Sequence, residues 1–225
     1  MLAALVLQAC GGDLSALDPA GPAARSIASL WWAMLAGAAI LFMLVIALFL
    51  LTLLRPGFGS RVTPRRWILW GGLAMPIPVL TLLLVYALFQ GERLIPAAAG
   101  PDGIVEVEAR ARQWAWEFAY PGLPDAAPTV GVLHIPAGRP VDVLATSADV
   151  IHSFWVPRLG GKMDATPGHV TRLRIEADQP GTYGGVCAEF CGDGHADMRF
   201  RVVAHPPEDY EAALREAIAG AEDAR

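Results

Sequence analysis

The sequence predicts a membrane hairpin of two apolar helices followed by an all-β domain, and three observations carry that expectation. Hydrophobic residues make up 54% of the 225-residue chain at a mean hydropathy of +0.42, too apolar for an ordinary soluble domain. Two long uncharged stretches lie in its first half. Beyond residue 103 the apolar spacing changes towards period two, the pattern of half-buried strands. A net charge of −5 argues against nucleic acid as a partner and suits a cationic one.

Taken in order, Met1 to Ala9 is apolar and runs into Gln8-Ala9-Cys10-Gly11-Gly12. That stretch is similar to the end of a bacterial lipoprotein signal, in which Cys10 becomes the acylated N-terminus; an unmodified thiol is the alternative. With Pro19, Gly21 and Pro22, residues 13–25 read as an exposed lead-in. Residues 26–54 hold neither charge nor proline and exceed the roughly 20 residues that span a bilayer. Trp31 and Trp32 stand where an interfacial aromatic belt would. Residues 67–91 form a second uncharged stretch, interrupted by Gly71, Gly72, Pro76 and Pro78. The prolines remove backbone donors and should kink it, which implies burial against a partner that re-satisfies the freed groups. Between the spans, residues 55–66 carry Arg55, Arg61, Arg65 and Arg66 and no acid. Positive charge marks the cytoplasmic side, so both termini are expected outside.

Residues 92–102, rich in Pro, Ala and Gly, read as a linker. Residues 103–205 then contain short alternating runs such as Ile104–Ala109, Val141–Leu144 and Val170–Ile175. Turn clusters at Pro121–Pro124, Pro136–Gly138 and Gln179–Gly181 separate them, which indicates an antiparallel barrel or sandwich. Trp114, Trp116, Phe118 and Tyr120 share one parity, so a strand would place all four on one face, by default the core. In residues 206–225, Pro206-Pro207-Glu208-Asp209 has the composition of a helix start. Tyr210, Ala213, Leu214, Ala217 and Ile218 follow at helical spacing, ahead of a fraying tail.

Chemistry concentrates in Cys187-Ala-Glu189-Phe-Cys191-Gly-Asp-Gly-His195-Ala-Asp-Met198. Two thiols, an imidazole and a thioether in one short loop are soft or borderline metal ligands, and His152 is the best placed distant imidazole. Zinc would take the two Cys and two His but leave Met198 idle. A mononuclear blue copper site would leave one Cys idle. A binuclear copper site would use every one of these side chains. A Cys187–Cys191 disulfide is the remaining alternative for a domain outside the cytoplasm. His134, His169 and His205 have no Cys nearby and read as surface or structural.

The ligand loop, preceded by His152, resembles the binuclear CuA signature of cytochrome c oxidase subunit II, and the resemblance runs from the twin spans to the end of the β domain. It implies a cupredoxin-like Greek-key barrel, and two copper ions bridged by Cys187 and Cys191. His152, His195 and Met198 then complete the sites, with Glu189 binding through its main-chain carbonyl. It also implies a magnesium ion shared with subunit I through the Glu189 carboxylate. Trp114 maps onto the exposed tryptophan that receives the electron from cytochrome c, although Ala115 stands where an aromatic residue is usual. Lys162 to Gly168 resembles a loop lying against subunit I, where Asp164 makes contact or is merely a turn residue.

The implied protein is a subunit of an oxidoreductase and proton translocase in the bacterial inner membrane. Its copper domain lies on the periplasmic side, and its partners are subunit I and other oxidase subunits, cytochrome c and membrane lipid. Glu106, Glu108, Glu117 and Asp125 are candidate acids for steering a lysine-rich cytochrome, or ordinary solvated charges. One departure stands out: many relatives have a glutamate near the start of the second span at a proton path, and residues 55–91 contain no acid. Two other functions compete. A membrane-tethered copper carrier would want more open coordination and no Trp114 segment, and a quinol oxidase subunit resembles this family with the copper ligands lost.

Overall fold

The computed structural model describes residues 10–92 and 104–223, so Met1 to Ala9 and most of the expected linker lie outside the described residues. The chain divides into two compact units, residues 29–92 and the β domain together with residues 10–28.

Helix α1 spans Pro22–Leu54. It begins four residues before the uncharged stretch, because proline at the first helical position carries no N–H that would need an intrahelical acceptor. A second helical run opens at Pro64 with α2 (Pro64–Leu69), widens into a π-helical turn over Trp70–Ala74 and continues as α3 (Pro76–Glu92). The expected kink takes this form for a steric reason. The Pro76 ring would strike the carbonyl four residues earlier, so the helix admits an extra residue and Met75 N–H donates to Trp70 O at 3.0 Å. Both runs are long and apolar enough to cross a membrane. Gln90 donates to the Ser29 hydroxyl at 2.8 Å, a polar tie between apolar helices of the kind that fixes register in lipid.

Among the described residues the β domain holds ten strands in two five-stranded sheets, ordered β3-β2-β1-β5-β8 and β4-β10-β9-β6-β7. They are β1 Val105–Arg112, β2 Ala115–Ala119, β3 Thr129–Val130, β4 Val132–Pro136 and β5 Val141–Ser147. The others are β6 His152–Trp155, β7 Lys162–Ala165, β8 Thr171–Ile175, β9 Gly181–Cys187 and β10 Arg199–His205. The chain crosses repeatedly between the sheets, giving the expected cupredoxin-like Greek-key fold as a two-sheet sandwich. Most pairs are antiparallel, but β1 with β5 and β4 with β10 run parallel. Alternation places Val107, Ala109 and Ala111 inside and Glu106, Glu108 and Arg110 outside. Trp116, Phe118, Phe154 and Phe200 fill the space between the sheets, with Phe154 and Phe200 stacked at 4.8 Å.

Asp142 departs from the alternation, being fully buried on the outer face of its sheet. Arg174 holds both its oxygens at 2.7 and 2.9 Å and Arg172 donates at 2.9 Å. Burial pushes its carboxyl up, but the two guanidinium groups outweigh that and hold it below the usual range.

The expected exposed lead-in is instead docked on the sandwich. Gly184 N–H donates to Asp13 at 2.9 Å, Arg158 pairs with Asp18 at 3.0 Å, and Arg25 pairs with Asp178. Gly21 lies so close to the Glu176 carbonyl that a Cβ would overlap it. Small residues permit that approach, which a reading of exposed polar character does not register. At the other end, residues 206–209 form a turn, and helix α4 begins only at Tyr210, running to Asp223. Its Tyr210, Leu214 and Ile218 are buried.

Far from the ligand loop, His134 Nδ1 and His205 Nε2 lie 2.8 Å apart with their rings stacked. Burial first, then the neighbouring imidazole, pushes His134 down to about 4. An unfolded histidine takes its proton near 6.5, so between pH 6.5 and about 4 the unfolded chain binds more protons and stability falls with pH. Thermal melting of the full chain in detergent should therefore drop between pH 7 and 4.5, and drop less in a His134→Gln variant. An equal drop in both would remove His134 as the cause.

Candidate metal centre

Three connections meet at one end of the sandwich: the β1–β2 turn with Trp114, the β5–β6 loop leading to His152, and the β9–β10 loop from Cys187 to Met198. Strand pairing sets the frame, since Cys187 lies opposite Phe154 in the β6–β9 register and its N–H donates to Met198 O at 3.0 Å. The loop between them closes through a short 3-10 turn over His195–Asp197, and Gly192 takes a positive φ of 116° that disfavours a side chain.

Cys187 and Cys191 are free thiols whose sulfurs stand 3.8 Å apart, far beyond the ~2.05 Å of a disulfide. The contacts then sort into two flanks. Cys187 Sγ lies 3.8 Å from His152 Nδ1 and 3.3 Å from the Glu189 carbonyl oxygen. Cys191 Sγ lies 3.6 Å from His195 Nδ1 and 3.8 Å from Met198 Sδ. His152, both cysteines and Met198 are buried, and His195 is half-buried. The ligand atoms of His152, Cys187 and Cys191 lie within 4.8 Å of one another, close enough to share a metal ion. Burial, with the second sulfur beside it, pushes the Cys191 thiol up to about 11. A bound metal would instead hold it as thiolate.

Asp149 orients His152. Its Oδ1 accepts from His152 Nε2 at 2.8 Å and from Val150 N–H at 2.6 Å, and its Oδ2 accepts from Gln113 N–H at 2.7 Å. Burial pushes this carboxyl up, but those hydrogen bonds prevail and hold it at about 2. An ionised carboxylate only accepts, so Asp149 takes a proton-bearing His152 Nε2 and leaves Nδ1 as the ring nitrogen that faces the sulfurs.

The aromatic run divides at the strand start. Trp116, Phe118 and Tyr120 are buried, whereas Trp114 precedes β2 and is 44% exposed, its Nε1 reaching Cys191 O at 3.3 Å. A Cβ on Gly194 would come within 2.5 Å of the indole, so the Gly-Asp-Gly spacing of the ligand loop is what lets the ring lie over it. Glu189 turns its main-chain oxygen inward and its carboxylate out, 3.6 Å from Lys162, which also pairs with Asp164 at 2.9 Å. Of the steering acids, Glu106 is paired with Arg172 and Glu117 with Arg112. Asp193 and Asp197 are exposed within the ligand loop itself. Sequence reasoning passed over them and over Asp149, three residues before His152, and over Gln113, which is far from every ligand in sequence.

A sequence profile described as "Cytochrome C oxidase subunit II, periplasmic domain" matches residues 125–205. The chain is 47% identical to cytochrome c oxidase subunit 2 of Thermostichus vulcanus over 52% of its own length and 34% of that protein's. It is 33% identical to cytochrome c oxidase subunit 2 of Alkalihalophilus pseudofirmus over 92% of itself and 64% of the relative. Thus it spans less than two thirds of either protein. It is also 31% identical to quinol oxidase subunit 2 of Bacillus cereus over 94% of itself and 76% of that chain. A solved structure of the periplasmic domain of subunit II of cytochrome oxidase from Bradyrhizobium japonicum aligns with a TM-score of 0.47 and 27% identity, covering 52% of this chain and 95% of that one. The profile match falls on the ligand-bearing part of the sandwich, and the similarity to whole subunits runs through both apolar helices as well. The chain is therefore a membrane protein of the cytochrome c oxidase subunit II family.

Proposed function

We infer that this chain is the electron-accepting subunit of a respiratory oxidase, taking electrons from cytochrome c at a two-copper centre. They pass on to the haem and copper centres of subunit I, where oxygen is reduced to water. The observation that supports this most is the pair of sulfurs 3.8 Å apart, each flanked by a different imidazole nitrogen. Two thiols, two imidazoles, a buried thioether and an inward carbonyl fit a pair of coppers, whereas tetrahedral zinc would leave Met198 unused. Held by these residues, a copper pair would supply a one-electron centre.

The chain's own residues hold and shield that site. Cys187 and Cys191 would hold the metals together with His152 and the Glu189 carbonyl on one flank and His195 and Met198 on the other. Trp114 provides the exposed surface against which a donor docks, and Asp193 and Asp197 supply acids beside it. The outward Glu189 carboxylate is the group that a magnesium ion shared with subunit I would take. One carboxylate falls far short of the six oxygens magnesium requires, so the remainder would come from subunit I and water. Arg55, Arg61, Arg65 and Arg66 between the spans are the positive charge expected of a cytoplasmic loop, which supports a periplasmic sandwich in a bacterial inner membrane.

Electron spin resonance of the copper-loaded full chain in detergent tests the reading. Hyperfine splitting shared by two copper nuclei is expected; a single-copper signal would favour a carrier, and retained zinc without copper uptake would sink it. A Trp114→Ala chain should keep that spectrum yet bind reduced cytochrome c more weakly by about 2 kcal/mol, roughly thirtyfold, as for an interfacial tryptophan hot spot. Unaltered docking would remove Trp114 from the donor surface. The quinol oxidase alternative, raised by the similarity to the Bacillus cereus subunit, predicts no copper uptake at all.

A further inference from the structure

Two groups outside the ligand set tie the donor-facing turn to the cluster. Asp149 offers two oxygens to three N–H donors: His152 Nε2 and Val150 N on one, Gln113 N on the other. Gln113 then reaches the opposite flank, its Nε2 donating to Cys191 O at 2.8 Å, beside the Trp114 indole on the same oxygen. The Trp114 turn is thus gripped through its backbone by the histidine-bearing loop and through its side chains by the cysteine-bearing loop. His195 has no carboxylate partner among the described residues, so the arrangement is one-sided.

We propose that Asp149 and Gln113 are positioning residues that lock the His152 ring and the Trp114 turn to each other. The donor-facing surface and one flank of the metal cluster then move as a single unit. Neither residue touches a sulfur or a metal-facing nitrogen; each acts through a neighbour. The role rests on the two-copper reading only for its effect on electron uptake, since the hydrogen bonds engage His152 Nε2 and the Cys191 main-chain oxygen rather than the atoms that face the cluster.

Asp149→Asn keeps the shape and removes one acceptor. An amide carries a single oxygen, so either Gln113 N–H or His152 Nε2–H must face an NH2 group. Nitrogen NMR of the labelled, metal-free full chain in detergent should show His152 as the Nε2–H tautomer, and a mixture of tautomers in Asp149→Asn, with His195 unchanged. In the copper-loaded oxidase the same variant should shift the nitrogen coupling of one histidine and leave the other. Its uptake of electrons from reduced cytochrome c should fall about tenfold or more, the usual effect of losing a partner that orients a ligand. Uptake from a small uncharged reductant should hold. Gln113→Ala leaves the main-chain N–H on Asp149, so it should slow protein-donor uptake without altering either histidine signal.

A His152 tautomer unchanged in Asp149→Asn overturns the proposal, as do equal changes at both histidines, which would mean general loosening. A wild-type chain without a two-copper signal would instead overturn the proposed function, and the tautomer measurement would still decide the positioning role.

Discussion

A full chain with Cys191→Ser is expected to fold and insert normally but to lose the shared two-copper spectrum entirely. Cys191 Sγ is the point where the two flanks join, within 3.8 Å of Cys187 Sγ, His195 Nδ1 and Met198 Sδ alike. A serine hydroxyl keeps the outline of the side chain, so folding stability should change by no more than about 1–2 kcal/mol, the worth of one rearranged buried hydrogen bond. It does not keep the chemistry. An alkoxide is hard and forms far above neutral pH, whereas copper at a bridging position wants a polarisable thiolate. His152 and the Glu189 carbonyl would keep Cys187 between them, whereas His195 and Met198 would lose the sulfur they flank, so the site would hold at most one ion. Copper per chain, measured beside the hyperfine pattern, should therefore fall from two to one or none. Two coppers with shared hyperfine in this variant would remove Cys191 as a bridge and with it the two-copper reading.

The ligand loop was legible because its order is local: two Cys, a His and a Met within twelve residues converge as soon as the chain turns between two strands. His152 lies far away in sequence, but β6 pairs directly with β9, so the contact follows from a single strand neighbour. The roles of Asp149 and Gln113 follow from no such rule. They depend on the β1–β2 turn arriving beside two other loops, and alternation says nothing about which turns meet.

The same limit explains the strand partners. Period two assigned the inner and outer faces of β1 correctly, yet it carries no direction, so the parallel pairing of β1 with β5 and of β4 with β10 was invisible to it. It failed at Asp142, where the neighbouring strands bring Arg172 and Arg174 over the carboxylate and bury a charge on the outer face. It failed again at Trp114, whose parity matches Trp116 but whose position just ahead of β2 leaves it free to lie across the Cys191 carbonyl. In the membrane hairpin the prolines signalled a disturbed helix, and the π-helical turn is the local solution to the clash of the Pro76 ring with the preceding turn.

Phe154→Ala is expected to cost about 3–5 kcal/mol of folding stability, the range for truncating a buried aromatic. Phe154 is wholly buried, stacked on Phe200 at 4.8 Å, with Trp116 edge-on at 5.6 Å and Phe118 at 6.5 Å. Each such pair adds roughly 0.5–1.5 kcal/mol beyond area burial. Gly185, the partner of Phe200 across the β9–β10 register, has no side chain to move into the hole, and a Cβ there would already meet the Phe200 ring. Against a total of about 5–15 kcal/mol for a domain, the loss should lower the melting temperature of the metal-free chain by on the order of 10–20 °C. The metal centre should feel it too, though no ligand is touched. Phe154 is the β6 residue paired with Cys187, two positions from His152, so weakening this crossing frees a thiol and an imidazole together. Phe154→Leu separates the two effects: it refills most of the volume, and should recover most of the stability and nearly all of the copper affinity. A loss below about 1 kcal/mol for Phe154→Ala would mean that the aromatic cluster does not brace the strand crossing on which His152 and Cys187 depend.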